Sequence, residues 1–468
     1  MNPAAFRQAA HQLVDWMADY LEDPTGYPVL PDVQPGEIRE RIADDPPERP
    51  EEMEAIVSDF FDQILPGLTH WNHPGFFAYF PANHSPPSVL AEMLTAAIGA
   101  QCMSWETSPA ATELEQKMMQ WLAELLELPG DFTGVIQDTA SSSTLVSLLT
   151  AREKATKGEV GRSGMREGGD DWVIYASEQA HSSVDKAVKL AGFGLNNLRN
   201  IAVDDRFAMR PEALRSAIEA DIDAGRTPLA VIATVGTTSS TAVDPLEQIG
   251  DIADAYDCWL HVDAAYAGSA AILPEKRWIL DGIDRADTFV FNPHKWLMTN
   301  FDCSAYFVRD VDALVGSFRA SPEYLKTVHD DEVVNFRDWG IPLGRRFRAL
   351  KLWFVLRSYG ADGLRTILRR HIELAEQFRQ QVQDHPDFEV MAPSPFGLVC
   401  FRYLPRSGDP EALNKQLLAQ LRQRDELHLT HTRLGEDFCL RMSIGQWHTR
   451  QQHVESAWET IQQIAAEL

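Results

Sequence analysis

Hydrophobic residues near the start of the chain recur at helical spacing, and a proline-rich stretch follows them. The apolar positions between Phe6 and Leu21 predict an amphipathic helix. Seven prolines between Pro24 and Pro50 interrupt any continuous helix and indicate an extended arm. A helix and an arm cannot bury their own apolar face, so we expect residues 1–80 to pack on a large domain or on a second subunit.

The middle of the chain alternates between short β-branched runs and helical stretches. From about residue 134 to residue 308, this alternation predicts an α/β domain with a mostly parallel central sheet. Beyond about residue 360, long helical patterns surround two strand-like runs, which indicates a smaller α+β domain at the C-terminus. The sequence therefore predicts an N-terminal helical arm at 1–80, a large α/β domain at 81–355 and a small domain at 356–468.

Polar residues directly follow two of the predicted strands. His261-Val262-Asp263 ends one β-branched run, and Asn292-Pro293-His294-Lys295 follows the next one. Because ligands of parallel α/β sheets bind beyond the carboxyl ends of the strands, these polar residues should face one crevice. The sequence therefore predicts that Asp263 and Lys295 lie close together.

The charge balance excludes two classes of partner. The chain has 468 residues, of which 44% are hydrophobic, enough for a large core, and its formal net charge is -27 at pH 7. Such an acidic surface repels phosphate backbones and anionic lipids, so we expect neither a nucleic-acid nor a membrane partner. The acidic surface suits a salt-rich cytoplasm and an ordinary acidic enzyme equally well, and composition does not separate the two.

Cysteine usage and the first residues bear on location. The five cysteines form no C-x-x-C pair, which predicts neither a disulfide framework nor a zinc site and favours a reducing compartment. His70 and His73 have no cysteine or carboxylate beside them, so no metal site is expected there. The sequence lacks the pattern of a secretory signal and contains no apolar run long enough to span a membrane. We therefore expect a cytoplasmic protein.

The pairing of Lys295 with Asp263 has a specific chemical meaning. Taken singly, the lysine is a solvated charge at a strand end, and the aspartate is a capping residue. Together they offer an amine that can form an imine and a carboxylate that keeps a pyridine nitrogen protonated. Pyridoxal phosphate requires both groups, and this cofactor is our interpretation of the pair.

A candidate phosphate site lies upstream of this pair. The run Asp138-Thr139-Ala140-Ser141-Ser142-Ser143-Thr144 precedes an apolar helical stretch, so its backbone N–H groups and the helix dipole can bind an anion. An ordinary N-cap serine would produce the same pattern. The chain has no P-loop motif, and Gly192-Phe193-Gly194 lacks the third glycine of the dinucleotide motif, so a nucleotide is not expected.

These residues belong to a series of motifs that spans nearly the whole chain. The series comprises His70-Trp71, Phe76-Phe77-Ala78-Tyr79-Phe80-Pro81, Ser108-Pro109-Ala110, Thr112-Glu113-Leu114-Glu115, Gly134-Val135-Ile136-Gln137, Ala180-His181-Ser182-Ser183, Gly236-Thr237-Thr238, His261-Val262-Asp263-Ala264-Ala265, Asn292-Pro293-His294-Lys295-Trp296 and Ile341-Pro342-Leu343-Gly344-Arg345-Arg346-Phe347-Arg348. With these motifs the chain resembles the group II pyridoxal-phosphate decarboxylases, which include the aromatic L-amino-acid, tyrosine, tryptophan and histidine decarboxylases. The resemblance implies fold type I, the fold of aspartate aminotransferase.

The resemblance also implies a role for each matching residue. Lys295 is expected to hold pyridoxal 5'-phosphate as a Schiff base, Asp263 to pair with the ring nitrogen, and His181 to stack on the ring. The positions expected around the phosphate and ring are Ala140, Ser141, Thr238, Ala265, Asn292 and His294. The positions expected around the substrate are Trp71, Tyr79, Phe80, Pro81 and Ala82, with Gln101 and Met103 supplied by the second subunit of a homodimer. Aromatic and apolar walls favour an aromatic side chain in the substrate.

The implied reaction is the decarboxylation of aromatic L-amino acids such as tyrosine, dopa, tryptophan or phenylalanine to the corresponding amines. In relatives, a tyrosine on a mobile loop, here at about residues 321–339, returns the proton to Cα. The matching residue is expected to be Phe336, which has no hydroxyl. Some relatives with phenylalanine at this position are aldehyde synthases, so oxidative deamination to an aldehyde is the alternative. For decarboxylation, His181 or a water would supply the proton.

Two other classes of protein share parts of this pattern. An aminotransferase would also use Lys295 and Asp263, but it would be expected to hold the substrate carboxylate with an arginine. A non-catalytic binding or scaffold protein could retain the same fold. The joint presence of Lys295, Asp263 and His181 favours an enzyme.

Overall fold

The computed structural model divides into two compact units. The described residues are 1–165, 171–319, 329 and 332–468. The first unit contains Met1–Pro81, Gln377–Glu389 and Phe401–Leu468, and the second contains Ala82–Glu376 and Val390–Cys400. The division of the chain at 1–80, 81–355 and 356–468 stays a prediction.

Helices form much of both units. In chain order they are α1 (Pro3–Glu22), α2 (Glu37–Arg41), α3 (Met53–Asp59), α4 (Pro86–Ile98), α5 (Pro109–Leu126), α6 (Ala140–Thr156), α7 (Glu159–Ser163), α8 (Ser183–Leu190), α9 (Pro211–Asp223), α10 (Leu246–Ala255), α11 (Pro293–Trp296), α12 (Val311–Phe318), α13 (Arg348–Asp384), α14 (Pro410–Leu421) and α15 (Gln451–Glu467). The predicted N-terminal helix is confirmed as α1. Its cap is the Asn2 side chain, which accepts hydrogen bonds from the backbone N–H groups of Ala4 and Ala5, both at 2.9 Å.

The strands form two sheets. In chain order they are β1 (Thr133–Gln137), β2 (Trp172–Ser177), β3 (Leu198–Ile201), β4 (Thr227–Thr234), β5 (Trp259–Asp263), β6 (Thr288–Phe291), β7 (Ser304–Val308), β8 (Phe388–Val390), β9 (Leu398–Tyr403), β10 (Thr430–Leu434) and β11 (Asp437–Ser443). The larger sheet has the order β1-β7-β6-β5-β4-β2-β3, and the smaller sheet has the order β10-β11-β9-β8.

The larger sheet confirms the predicted α/β fold with a mostly parallel sheet. Strands β2 to β6 run parallel to one another, whereas β7 is antiparallel to both β6 and β1. All residues of β2 and β5 are buried, as in parallel strands that are covered on both faces. The register pairs Asp263 with Thr234 on β4 and with Val290 on β6. The carboxyl ends of β4, β5 and β6 therefore lie side by side.

The first unit holds an aromatic core of its own. The Trp458 ring of α15 lies 4.9 Å from the Phe388 ring and 5.6 Å from the Phe378 ring. Helices α14 and α15 and most of the smaller sheet belong to this unit, which gives the α+β pattern that the C-terminal sequence predicts. Among the residues that the structure describes, every helix is too short or too polar to cross a membrane.

Candidate active site

Asp263 and Lys295 come together where β5 and β6 end. Asp263 is the last residue of β5, and its Oδ1 accepts a hydrogen bond of 3.0 Å from the Ala265 backbone N–H. Lys295 lies on the short helix α11, which begins two residues after β6. Burial lowers the pKa of the Lys295 amine, and the negative charge of Asp263 opposes this shift. The two side chains are thus within electrostatic reach of each other, as the strand-end argument predicts.

His181 faces the same pair from the turn between β2 and α8. The Ser183 backbone N–H donates to His181 Nδ1 at 3.1 Å, and the Ser183 hydroxyl lies 2.9 Å from the same nitrogen. An N–H group can donate only to an unprotonated ring nitrogen, so the neutral imidazole carries its proton on Nε2. Burial lowers the pKa of His181, and the positive charges of Lys295 and Lys186 lower it further, while Asp263 raises it. His181 is exposed at the surface of the chain and therefore accessible to a ligand.

The side chains of His294 and Asn292 hold the segment that contains Lys295 in place through hydrogen bonds. The Cys303 backbone N–H donates to His294 Nδ1 at 2.9 Å, and burial lowers the pKa of His294 to about 3. The Ser304 hydroxyl donates to Asn292 Oδ1 at 2.7 Å. Both side chains are buried and neutral near pH 7. They tie α11 to the start of β7, so the Lys295 backbone has a fixed position.

The predicted phosphate site is the first turn of α6. Thr139 caps this helix, because its Oγ1 accepts a hydrogen bond of 3.3 Å from the Ser142 backbone N–H. Ser141 is exposed at this end, whereas Ala140 is buried in one hydrophobic cluster with Val290 of β6, against which Ala265 also packs. The helix N-terminus is therefore anchored beside the strand ends and presents a hydroxyl and backbone N–H groups.

Thr238 lies on the turn that follows β4. The turn is closed by hydrogen bonds from the backbone N–H groups of Gly236 and Thr237 to the Ala242 carbonyl, at 2.9 and 3.0 Å. Gly236 has a φ of +86°, and a Cβ at this position would lie 2.5 Å from the Ala267 Cβ, so only glycine fits. Thr238 is exposed on this hydrogen-bonded turn, next in the sheet to the end of β5.

Asn83 and Ser183 are two further residues of the site that the sequence alone does not single out. The Asn83 side chain donates to the Lys295 carbonyl at 3.1 Å, and Ser183 fixes the His181 tautomer. Asn83 comes directly after the predicted substrate residues Pro81 and Ala82, but nothing local in the sequence indicates that it reaches a residue more than two hundred positions away. Ser183 stands two residues after His181, and this spacing is a sequence signal for a local side-chain to backbone contact.

Four of the predicted substrate residues belong to the first unit. The Trp71 and Tyr79 rings stack at 5.6 Å with an interplanar angle of 16°, and both are exposed. The Phe80 ring is buried beneath the Arg441 guanidinium, 5.4 Å away, and Pro81 is also buried. These residues form an aromatic group within that unit.

Ala82, Gln101 and Met103 belong to the second unit. Ala82 is half-buried. Gln101 Oε1 accepts a hydrogen bond of 2.7 Å from the Arg345 backbone N–H, and the Met103 carbonyl accepts one of 2.8 Å from the Arg337 backbone N–H. Gln101 and Met103 are therefore held by the segment that also contains Phe336.

Phe336 is part of the hydrophobic core of the second unit. It begins a single 3₁₀ turn, Phe336–Asp338, and only 2% of its surface is exposed. Its ring contacts the Trp339 ring at 5.4 Å and belongs to the same cluster as Val135 and Tyr306. The loop that is predicted to contain Phe336, about residues 321–339, lies partly outside the described residues. Its C-terminal end, where Phe336 lies, is a packed segment.

Comparison with known proteins identifies the family. A model described as the pyridoxal-dependent decarboxylase conserved domain matches residues 35–404. This chain belongs to that family. An aromatic-L-amino-acid decarboxylase from Sus scrofa is 46% identical over 481 residues, covering 100% of this chain and 98% of the relative. A phenylacetaldehyde synthase from Arabidopsis thaliana is 44% identical, covering 100% of this chain and 97% of the relative. A crystal structure of Oryza sativa TDC with PLP and tryptamine superimposes with a TM-score of 0.96 at 38% identity, covering 100% of this chain and 99% of that one.

Membership confirms the predicted enzyme class, fold type and cofactor. The protein is a pyridoxal-phosphate-dependent carboxy-lyase with the fold of the group II decarboxylases. The side chains at the strand ends fit this cofactor, because they combine a partly buried amine, a buried carboxylate and an anchored helix N-terminus. Within the described ranges, histidine, cysteine and carboxylate side chains nowhere form a group of three that could hold a metal ion.

Proposed function

We propose that the protein decarboxylates aromatic L-amino acids to the corresponding amines. The observation that carries this proposal is the group formed by Lys295, Asp263 and His181 at the strand ends, in which His181 presents a protonated Nε2. An amine that can bond the cofactor, a carboxylate that can pair with its ring nitrogen and an imidazole beside them are groups that this reaction uses.

In this proposal the Lys295 amine would hold the cofactor through a covalent bond. The lowered pKa of Lys295 favours the neutral amine, which is the reactive form. Asp263 uses one carboxylate oxygen for the Ala265 N–H and has the other for the pyridine nitrogen. Bound pyridoxal phosphate supplies an electron-accepting ring for the electron pair left when carbon dioxide departs. Ser141, Thr238 and the first turn of α6 hold the phosphate.

In its neutral form His181 would orient a water that returns the proton to Cα, and it would donate the proton itself only after its ring has gained a second one. Its Nδ1 is occupied by Ser183, so the proton on Nε2 is directed away from the protein backbone. Asn292 and His294 remain neutral and act by holding α11, not by exchanging protons.

An aromatic substrate and a homodimer complete the proposal. The exposed, stacked rings of Trp71 and Tyr79 support recognition of an aromatic side chain, and relatives named for aromatic amino acids support the same class. Helix α4 exposes Leu90, Leu94 and Ile98 at 46% to 64%, an apolar face that a second copy would cover. Gln101 and Met103 would then contribute to the site of the partner subunit. The five cysteines are free and buried, which supports a cytoplasmic location.

Aldehyde synthesis is the second candidate, because Phe336 lacks a hydroxyl and one relative is a phenylacetaldehyde synthase. In that reaction the amino acid, dioxygen and water give the aldehyde, carbon dioxide, ammonia and hydrogen peroxide. The burial of Phe336 in the core argues against a position over the substrate. Tyr324 is the one tyrosine in residues 321–339, and although it lies outside the described residues, it offers the phenol that Phe336 lacks. We therefore favour amine formation, with Tyr324 as a second candidate proton donor.

The test is a product balance on the purified holoenzyme. The enzyme is incubated separately with tyrosine, dopa, tryptophan, phenylalanine and histidine, and carbon dioxide, amine, aldehyde and oxygen uptake are measured. Amine equal to carbon dioxide, without oxygen uptake, is expected for at least one aromatic substrate. Oxygen uptake equal to carbon dioxide release would instead establish aldehyde synthesis. Consumption of an added keto acid would indicate an aminotransferase, and a visible band that borohydride does not bleach would contradict the imine.

A further inference from the structure

A buried ion pair lies apart from the strand-end group, between α5 and the segment after Trp339. Both oxygens of Glu115 accept hydrogen bonds from the Arg345 guanidinium, at 2.6 and 3.1 Å. Glu115 is 2% exposed and Arg345 is 8% exposed. Two charges so far from water persist only when their remaining donors and acceptors are also satisfied. The partners that satisfy them are three segments with predicted functional residues.

The first of these segments is the end of β1. Glu115 Oε1 accepts the Ile136 backbone N–H at 2.8 Å, and Arg345 Nη2 donates to the Ile136 carbonyl at 2.8 Å. The ion pair therefore forms hydrogen bonds with both backbone groups of Ile136. The chain continues from Ile136 directly into Thr139, Ala140 and Ser141, the turn that presents N–H groups to the phosphate. A shift of the pair would move this turn.

The second segment contains Gln101 and Met103, two of the predicted substrate residues. The Arg345 backbone N–H donates to Gln101 Oε1 at 2.7 Å, and the Arg345 carbonyl accepts the Cys102 backbone N–H at 3.0 Å. Arg345 thus holds this segment with its backbone while its side chain holds β1. One residue fixes the spacing between the phosphate turn and a predicted substrate wall.

The third segment is the packed turn at Phe336. The Arg345 guanidinium carbon lies 4.8 Å from the centroid of the Phe336 ring, which covers one face of the cation. The Gln137 side chain donates to the Trp339 carbonyl at 2.9 Å and closes the same assembly. Phe336 therefore acts here as an apolar cover for a buried charge, and this role needs an aromatic face and no hydroxyl.

From these contacts we infer that Glu115 and Arg345 form a positioning pair for the decarboxylation reaction. The pair holds the phosphate turn at 138–141 in register with Gln101 and Met103, so breaking it weakens cofactor retention and substrate binding together. This inference rests on the proposed function for its substrate part. Its cofactor part rests on the established family and on the proposed phosphate turn.

Arginine is required at this position because of the geometry of its donors. The planar guanidinium serves both Glu115 oxygens and the Ile136 carbonyl at once, whereas a lysine ammonium at the same place cannot reach all three in one plane. Arg345→Lys therefore preserves the positive charge and removes the planar set of N–H donors. The neighbouring Arg346 is 56% exposed in its side chain and pairs with Glu92, so Arg346→Lys is a matched control.

The experiment measures cofactor and substrate binding separately in the holoenzymes of the parent, Arg345→Lys, Glu115→Gln and Arg346→Lys. Retention of the visible cofactor band on dialysis gives the dissociation constant, and steady-state amine formation gives KM and kcat. We expect Arg345→Lys and Glu115→Gln to weaken cofactor binding and raise KM by about tenfold or more, with a smaller change in kcat. Arg346→Lys should match the parent. Folded Arg345→Lys with the parental dissociation constant and KM would overturn the inference.

A milder variant keeps the inference testable if the charge variants fail to fold. Phe336→Leu leaves the ion pair intact and removes the ring over the guanidinium, so the same two constants should shift in the same direction by a smaller factor. Unchanged constants in folded Phe336→Leu, measured alongside Glu115→Gln, would overturn the inference. An inactive parent would contradict the proposed function alone, because the cofactor measurement needs no turnover.

Discussion

Two regions of the α/β unit hold their charged groups in opposite ways. At the strand ends, the charge of Asp263 raises the pKa of both His181 and Lys295 against the effect of burial, and His181 remains accessible. Between α5 and the Phe336 turn, Glu115 and Arg345 are buried and bonded to each other and to the backbone. The first arrangement leaves groups available for chemistry, whereas in the second each charge needs the other, because either one alone would be stranded away from water. Ionisable residues that react must therefore remain accessible, whereas ionisable residues that position a segment must be fully bonded to their partners.

The largest expected effect comes from removing the exchangeable amine. Lys295→Ala should lower kcat/KM by about 10³-fold or more, because the amine that bonds the cofactor is absent. Carbon dioxide release and the borohydride-sensitive visible band are the measurements. Lys189→Ala, at an exposed position on α8, is the matched control and should retain both. Undiminished turnover in Lys295→Ala would contradict the assignment of the strand-end group.

Loss of one charge in the same group should have the next largest effect. Asp263→Asn keeps an oxygen that accepts the Ala265 N–H, so the end of β5 should stay in place. Without the negative charge, the ring nitrogen of the cofactor is less readily protonated, and kcat should fall by about 10²-fold to 10³-fold. A shifted visible band with normal cofactor content would accompany the loss. Asp251→Asn on the exposed face of α10 is the control. An equal loss of kcat in this variant would mean that removing any surface carboxylate lowers activity.

The strand-end group could be predicted from the sequence, because its position follows from topology. Asp263 and Lys295 stand immediately after β-branched runs, and parallel strands bring their carboxyl ends to one edge. The first turn of α6 could be predicted for a similar reason, since a threonine cap and small residues mark a helix start. The side chains that orient this group, such as Ser183, require only short-range contacts.

The surroundings of Phe336 could not be predicted in this way. Whether an aromatic residue between polar neighbours lies in a loop or in the core depends on distant partners, here Val135, Tyr306 and Arg345. The same holds for Asn83, whose contact with the Lys295 carbonyl joins segments far apart in the chain. Motif order indicates that such residues matter but does not indicate which of them touch.

The product of the reaction tests the roles of two aromatic residues, Phe336 and Tyr324. Tyr324→Phe should raise the aldehyde-to-amine ratio and oxygen uptake, by about tenfold if its phenol supplies the proton at Cα. Phe336→Tyr should leave the ratio within about twofold of the parent, because its ring is held in the core beside Arg345. Amine, aldehyde and oxygen are measured for both variants on one substrate. The opposite result is an aldehyde-to-amine ratio that changes in Phe336→Tyr and stays constant in Tyr324→Phe. It would exclude Tyr324 as the proton donor and favour aldehyde synthesis as the parental activity.

The smallest expected effect concerns the dependence of stability on pH. The folded protein keeps His294 neutral, with a pKa lowered to about 3 by burial, whereas the unfolded chain protonates it near the ordinary value of 6.5. Its contribution to the free energy of unfolding is therefore complete above pH 6.5 and is lost as the pH falls toward 3. His294→Gln retains an oxygen that can accept the Cys303 N–H but cannot titrate. Between pH 6.5 and pH 4, stability should fall less steeply in this variant than in the parent, by up to about 1.4 kcal/mol per pH unit.

Urea unfolding of the holoenzymes at several pH values measures this difference in slope. His11→Gln, at an exposed position on α1, is the matched control variant, and its slope should equal that of the parent. Equal slopes in His294→Gln and the parent would mean that His294 is not held neutral in the folded state. His294 would then carry a positive charge next to Lys295. The contrast between the strand-end group, which is available for chemistry, and buried side chains that only hold the backbone in place would no longer apply at α11.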